Sequence, residues 1–184
     1  RICFHTDAKT GLRAIIAIHS TALGNALGGT RRWCYASEAD ALYDVMRLSR
    51  GMTYKAAISG LPMGGAKSVI MTPSRDSART EAEAKAMGRF VDSFNGTYIA
   101  AEDVGVDIEF IDWMASETSH VMGGETVSMG GDPSPWTAMG TFHGMRACLE
   151  YAGLGSSFND KTVAIQGVGN VGRNLCRILT EAGA

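Results

Sequence analysis

An α/β fold in two parts is what the amino-acid sequence predicts, and three features carry that expectation. Short apolar runs rich in β-branched residues alternate with longer stretches of helical periodicity, and glycine or proline marks the joins. Near the end, Gly167-x-Gly169-x-x-Gly172 falls between one such run and one such stretch.

Taken in order, the residues after Arg1 can form a strand, and Leu12-Arg-Ala-Ile-Ile-Ala-Ile-His19 predicts a buried one. Ser20 to Gly29 carries Gly24, Gly28 and Gly29, a second strand or loop where backbone comes close to a neighbour. Ser37 opens a helix, with Asp40 as its capping-box partner and Ala39, Leu42, Val45, Met46, Ser49 and Met52 at helical spacing. Lys67 to Met71 reads as a short strand ended by Pro73. Asp76 to Phe94 reads as a helix with Ala82, Ala86, Met87, Phe90 and Phe94 on its apolar face. After the Asn95-Gly96 turn, Thr97 to Ala101 is a strand that ends at the acidic pair Glu102-Asp103, and strand ends are where α/β proteins place chemistry. A helix from Asp107 to Ser116, a short strand at His120 to Met122 and a loop through Gly123-Gly124 and Gly130 to Pro135 follow. A long helix from Pro135 to about Tyr151 is expected to bridge two domains. Lys161 to Gln166 then forms the first strand of the second domain, and the glycine turn leads into a helix ending near Ala182. The implied boundaries are 1–134, a linking helix over 135–153, and 154–184.

Composition narrows the function classes. The chain has 184 residues, 45% hydrophobic and 20% charged, which suits a globular protein of one domain and the start of another. A net charge of -2 argues against bulk attraction to nucleic acid or anionic membrane, and no apolar run is long enough to span a bilayer. Cys3, Cys34, Cys148 and Cys176 are dispersed without a C-x-x-C pair, as expected of buried thiols in a reducing compartment, so a cytoplasmic setting follows. His5, His19, His120 and His143 lack metal-ligand spacing and are read as structural, so no metal is expected. Trp136 and the methionines are read as core or lining. Both ends look cut.

Two lysines stand out. Lys55 and Lys67 lie in Arg50 to Met71, a stretch otherwise dominated by apolar and small residues, and Lys67 follows Gly64-Gly-Ala66. Small neighbours let a ligand approach an ammonium, so two such lysines facing one space suggest an anionic guest. A phosphate-binding P-loop is excluded: Ala66 stands where its lysine belongs, and Lys67 precedes a strand instead of opening a helix. Lys67 then reads as a general base, a carboxylate anchor or a plain surface lysine, and Asp103 as an acid-base group or a turn aspartate. If the lysines share a pocket, repulsion and desolvation lower a pKa there. The Gly167 turn offers a pyrophosphate site at a helix N-terminus, against the alternative of a turn without ligand.

Several segments in order along nearly the whole chain resemble the leucine/phenylalanine/valine dehydrogenase branch of the glutamate dehydrogenase superfamily. They are Ala14 to His19, Ala26-Leu-Gly-Gly-Thr-Arg31, Arg50-Gly-Met-Thr-Tyr-Lys55, Leu61-Pro-Met-Gly-Gly-Ala-Lys67, Ala101-Glu-Asp-Val-Gly105, Pro133-Ser-Pro and Gln166-Gly-Val-Gly-Asn-Val171. The resemblance implies an N-terminal substrate and oligomerisation domain with a mixed sheet and flanking helices, followed by the first β-α unit of a Rossmann domain. It implies NAD-dependent oxidative deamination of a hydrophobic L-amino acid to a 2-oxo acid by a homo-oligomer, or else an inactive oligomerisation or binding fragment of such an enzyme. By motif match, Lys67 activates water, Asp103 exchanges protons with the amine and Lys55 holds the substrate carboxylate. Leu27, Gly28, Gly29, Met52 and Ala101 line the substrate space. Arg31, Asp103, Thr137, Gly167, Val168, Gly169, Asn170, Val171 and Gly172 fall near the cofactor. Leu27 and Ala101 offer nothing to pair a second carboxylate, which disfavours glutamate. The sequence departs from the pattern at Ala66, whose methyl is expected beside the site, and at Asp132 and Trp136. Residues beyond Ala184 are expected to complete the substrate pocket and the cofactor domain.

Overall fold

The computed structural model describes residues 1–126 and 132–184, and the chain divides into two units, Arg1–Gly131 and Asp132–Ala184. The loop expected at Gly130-Gly131 lies outside the described residues.

In the first unit, β1 (Ile2–Asp7), β2 (Leu12–Ser20), β3 (Ala26–Trp33), β4 (Gly64–Met71), β5 (Tyr98–Glu102) and β6 (Val121–Met122) form one sheet, ordered β1-β2-β4-β3-β5-β6. The pairs β1/β2 and β2/β4 are antiparallel, whereas β4/β3, β3/β5 and β5/β6 are parallel, so the sheet is mixed. Both faces are covered, and that is why the central strands read as continuous apolar runs. Residues Ile15, Ala17 and Val69 pack with Ala41 and Val45 of α1 (Glu38–Ile58). Their strand neighbours Ala14, Ile16, Ala66 and Ile70 pack on the opposite face with α2 (Glu81–Asp92) and α3 (Ile108–Ala115). The alternation follows from the period of two along a strand.

Helix α1 begins as its sequence predicts: the Asp40 amide donates to Ser37 Oγ at 3.1 Å, and the Ser37 hydroxyl donates to the Asp40 carboxylate at 2.7 Å. Its inward stripe is Ala41, Val45, Ser49 and Ala56, rotated from the expected one, so that Ala39 and Met46 face solvent. Helix α2 starts later than Asp76. The reason is Arg32, whose guanidinium donates to the carbonyls of Ser77 and Ala78 at 2.9 and 2.8 Å and keeps that stretch out of a helical ladder. Thr80 then caps the helix through the Glu83 amide, and Glu83 accepts from Arg32 Nε at 2.9 Å. Ala82 is exposed, with Glu83 and Ala84 turned inward instead.

A polar trio is buried within this apolar core. Tyr98 donates its hydroxyl to the Gly28 carbonyl at 2.8 Å, and Ser68 Oγ lies 2.9 Å from both Tyr98 Oη and Thr30 Oγ1. Among the described residues no buried side-chain polar atom lacks a partner.

The second unit contains α4 (Ser134–Tyr151) and α5 (Asn170–Glu181). The expected linking helix α4 packs along α5: Ala138, Leu175, Leu179 and Phe158 form the centre, with Phe142 and Phe158 rings 4.9 Å apart. Lys161 to Gln166 alternates between half-buried and exposed, and Val163 and Ile165 join this cluster. It nevertheless forms no ladder, because no strand among the described residues lies beside it to supply the hydrogen bonds. Trp136 is 80% exposed on the first turn of α4 and is not a core residue. The four cysteines are free thiols and none is fully buried, Cys148 being exposed on α4.

Tyr98→Phe removes the donor to Gly28 and one partner of Ser68. A loss of about 1–2 kcal/mol is expected, measured as a lower urea midpoint at unchanged slope. An unchanged midpoint would make the trio energetically neutral.

Candidate functional site

The parallel strands β3, β4 and β5 deliver their side chains to one place on the α1 face of the sheet. Lys67 is in the middle of β4, Arg31 is near the carboxyl end of β3, and Asp103 directly follows β5. Asp103 Oδ2 accepts from Lys67 Nζ at 3.1 Å and from Arg31 Nε at 2.9 Å, so one carboxylate oxygen holds two cations.

Glycine makes the approach possible. A Cβ on Gly29 would stand 2.5 Å from the Glu102 carbonyl oxygen, 2.9 Å from Asp103 Cβ and 3.2 Å from Lys67 Nζ, so Gly29 leaves the space that the ion pair fills. A Cβ on Gly28 would collide with the Ala66 carbonyl oxygen, and β3 pairs with β4 on either side of Gly28 and Gly29 but not at them. Gly65 lies against the Thr53 backbone, which brings α1 down onto β4. The pleat sends the Ala66 methyl into the α2 face with Ile70. It therefore does not crowd Lys67, contrary to expectation.

Lys67 is 5% exposed. Burial holds its ammonium below the usual lysine range; Asp103 opposes this, while Arg31 and Lys55 add to it by repulsion. Lys55, in the last turn of α1, is exposed and has no ion-pair partner among the described residues. Met52, half-buried, precedes it on the same helix. Gly29 pairs with Ala101, and Leu27 with Ile99 on β5 and Gly65 on β4. Strand alternation sets Leu27, Gly29 and Ala101 on the Lys67 face and Gly28 on the other. Among the residues named from sequence, Lys67, Asp103, Arg31, Gly29, Leu27 and Ala101 are thus brought together.

Arg31 is committed to carboxylates: besides Asp103, its Nη1 donates to Asp44 at 3.0 Å. Asp44 and its partner Tyr35 were not legible as site residues. Asp44 is one of several acidic residues on α1, and nothing in its spacing sets it apart. A cavity of about 510 Å3 is lined by Arg31, Tyr35 and Asp44 but not by Lys67, which lies deeper. Of the histidines, His5 stacks on Phe90 and His19 Nδ1 lies 2.9 Å from Thr53 Oγ1. No cluster of three or more His, Cys, Asp or Glu among the described residues is arranged to hold a metal. No helix among them is long and apolar enough to cross a membrane.

In the second unit, Thr137 is exposed on the first turn of α4. The glycine turn is open at its first two glycines. Gly167 has φ +92°, and nothing lies within 4 Å of where a Cβ would be on Gly167 or Gly169. Gly172 instead packs on the Gly167 carbonyl, a contact that a side chain would prevent. Helix α5 begins at Asn170 without a side-chain cap, leaving its first amides for an anion. Val168 completes the turn, and Asn170 and Val171 are the first two residues of α5.

Comparison with known proteins follows the same division. Residues 1–120 match the family described as Glu/Leu/Phe/Val dehydrogenase, dimerisation domain, and residues 132–184 match Glutamate/Leucine/Phenylalanine/Valine dehydrogenase. Leucine dehydrogenase of Geobacillus stearothermophilus is 50% identical over 100% of this chain and 50% of its own length, and that of Bacillus subtilis is 48% identical over the same shares. The crystal structure of L-tryptophan dehydrogenase from Nostoc punctiforme superposes with a TM-score of 0.71 at 41% identity, covering 100% of this chain and 51% of that one. The chain spans about half the length of the curated relatives it matches.

One consequence concerns stability. Lys67 has a folded pKa below its unfolded 10.5, so its charge disfavours folding. That cost is full below the folded pKa and fades as pH rises toward 10.5. Lys67→Met, with Asp103 still paired to Arg31, is expected to raise the Tm at pH 7, the gain shrinking at alkaline pH. A lower Tm at pH 7 would show that the attraction to Asp103 outweighs burial.

Proposed function

The chain belongs to the Glu/Leu/Phe/Val dehydrogenase family, and from that premise we propose that it carries the substrate-binding and reacting half of an NAD-dependent dehydrogenase that oxidatively deaminates a hydrophobic L-amino acid. The observation that carries the reading is the Lys67–Asp103 pair, a buried ammonium of lowered proton affinity in the middle of β4 joined to a half-buried carboxylate that directly follows the parallel strand β5.

Each residue has a role that its surroundings suit. Lys55, exposed and without an ion-pair partner among the described residues, holds the substrate carboxylate. Leu27, Ala101 and Met52, with Gly28 and Gly29 in the adjoining backbone, line a space without a charge for a second carboxylate, which favours leucine-like over glutamate-like side chains. Lys67, because burial favours its neutral form, takes a proton from the water that adds to the substrate iminium carbon. Asp103 exchanges protons with the amine nitrogen, so that ammonia leaves and the 2-oxo acid remains.

A nicotinamide dinucleotide, when bound, supplies the acceptor for the hydride that leaves Cα. In the second unit the open turn from Gly167 to Gly172 and the uncapped α5 N-terminus would hold its pyrophosphate, with Thr137 as a further contact. The matched family is described as a dimerisation domain, which supports assembly of the protein as a homo-oligomer, and its dispersed free thiols suit the cytoplasm.

The test is reduction of NAD by L-leucine, L-valine or L-phenylalanine, followed by absorbance in this chain and in a version extended past Ala184. Turnover is expected in the extended protein, falling by about 10²–10⁴-fold in Lys67→Ala. The rate should rise with pH through a value below the ordinary lysine range, since the neutral amine is the working form. Absence of NAD reduction with all three substrates in both proteins sinks the reading.

A further inference from the structure

The cluster continues beyond the reacting pair. Arg31 presents Nε to Asp103 and Nη1 to Asp44 Oδ2, so its planar guanidinium bridges two carboxylates. Asp44 is itself fixed from three sides. Tyr35 donates its hydroxyl to Oδ2 at 2.8 Å, Arg47 approaches Oδ1 at 2.8 Å, and the carboxylate stands on the second turn of α1, a helix whose Thr53 is seated on Gly65. The result is a chain of alternating charge, Arg47–Asp44–Arg31–Asp103–Lys67, running from the surface to the buried ammonium.

We propose that Asp44 is a positioning residue for the Lys67–Asp103 pair, acting through Arg31. Lys67 and Arg31 share one oxygen of Asp103. An Arg31 released from Asp44 is free to turn its whole fork onto Asp103, and a bidentate guanidinium outcompetes an ammonium for a carboxylate. Asp44 prevents this by holding the far side of the fork. Burial pushes the Asp44 carboxyl up, but the Tyr35 hydrogen bond and the Arg31 charge prevail and leave it below the usual range, so it remains an anion for Arg31. The charged groups around Lys67 are Asp103 after β5, Arg31 on β3 and Lys55 on α1, while β2 brings only Ala17 beside it.

The experiment reads Lys67 directly. Acetic anhydride labels neutral amines, and mass spectrometry of the Lys67 peptide across pH gives the midpoint of its titration in the 184-residue chain. Asn at position 44 should lower that midpoint: Asp44→Asn is expected to shift it down by roughly 0.5 in pH. In an Arg31→Gln background the same substitution should no longer move it, as a double-mutant cycle requires of residues acting in series. An unmoved midpoint in Asp44→Asn overturns the proposal. So does a shift that persists in full without Arg31, which would be direct electrostatics. If Asp44→Asn loses its near-ultraviolet circular dichroism, Arg31→Lys decides instead, since it keeps the charge but not the fork. Its midpoint is expected to hold or rise, because an ammonium has no fork to close on Asp103, and a midpoint that falls overturns the proposal.

The consequence for turnover rests on the dehydrogenase reading. In the extended protein, Asp44→Asn should lower kcat about tenfold with KM for the amino acid within about twofold, and an unchanged kcat overturns the role in the reaction. Labelling does not depend on turnover. A shifted midpoint in a protein that turns over no amino acid leaves the Asp44 assignment standing and removes the dehydrogenase reading alone.

Discussion

One oxygen atom holds the two cations of the candidate site together. Asp103 Oδ2 meets the Lys67 ammonium and the Arg31 guanidinium together. An ammonium taken out of water costs several kcal/mol, and an unpaired one loses its proton or disrupts the fold. Here the compensation is deliberately incomplete. Asp103 supports the charge, but burial, Arg31 and Lys55 still leave the ammonium short of its usual proton affinity. A residue in that condition is poor at stabilising a fold and gives up its proton more readily than an ordinary lysine.

Backbone geometry sets the terms of this meeting. The pair exists because β3 has no side chain at Gly29 and because Gly28 lets its strand approach the Ala66 carbonyl. The glycines Gly64 and Gly65 do the same for the Ser20 backbone and for α1. Close packing of main chain on main chain leaves little freedom for the side chains between, so Lys67 and Asp103 are held on strands and strand ends whose positions are fixed by the sheet. Sites of this kind are more exact than sites built on loops alone.

Much of this was legible in the residues, and the parts that were not share a cause. The strand runs, the capping box at Ser37 and the acidic strand end at Asp103 are local signals, and local signals survive in sequence. The start of α2 is set by Arg32 reaching across from β3 to the carbonyls of Ser77 and Ala78, which no window around Asp76 contains. Similarly, the inward stripe of α1 is decided by which strand lies beneath it. Ala66 illustrates the limit most clearly: its neighbour Lys67 faces the site, so the methyl must face away, but only knowing that this stretch is a strand reveals it. Lys161 to Gln166 shows the opposite case, with the alternation of a strand present and no neighbour among the described residues to pair with. Asp44 entered the site through Arg31, a contact between separate elements that spacing along the chain does not encode.

Adjacent arginines on β3 have a further implication for how the sheet is assembled. Arg31 points to the site and Arg32 to α2, each satisfied by carboxylates on its own side. If β3 slipped by one residue during folding, a second arginine would take over the place of the first, and the charge presented to at least one face would survive the error. Electrostatics is therefore a weak proofreader of this strand. Rejection of the misaligned state falls to the glycines, because the slip carries Leu27 or Thr30 into positions where a Cβ meets the Ala66 or Glu102 carbonyl. The two residues that make room for the ion pair are thus also the ones that make the correct register the only one that closes.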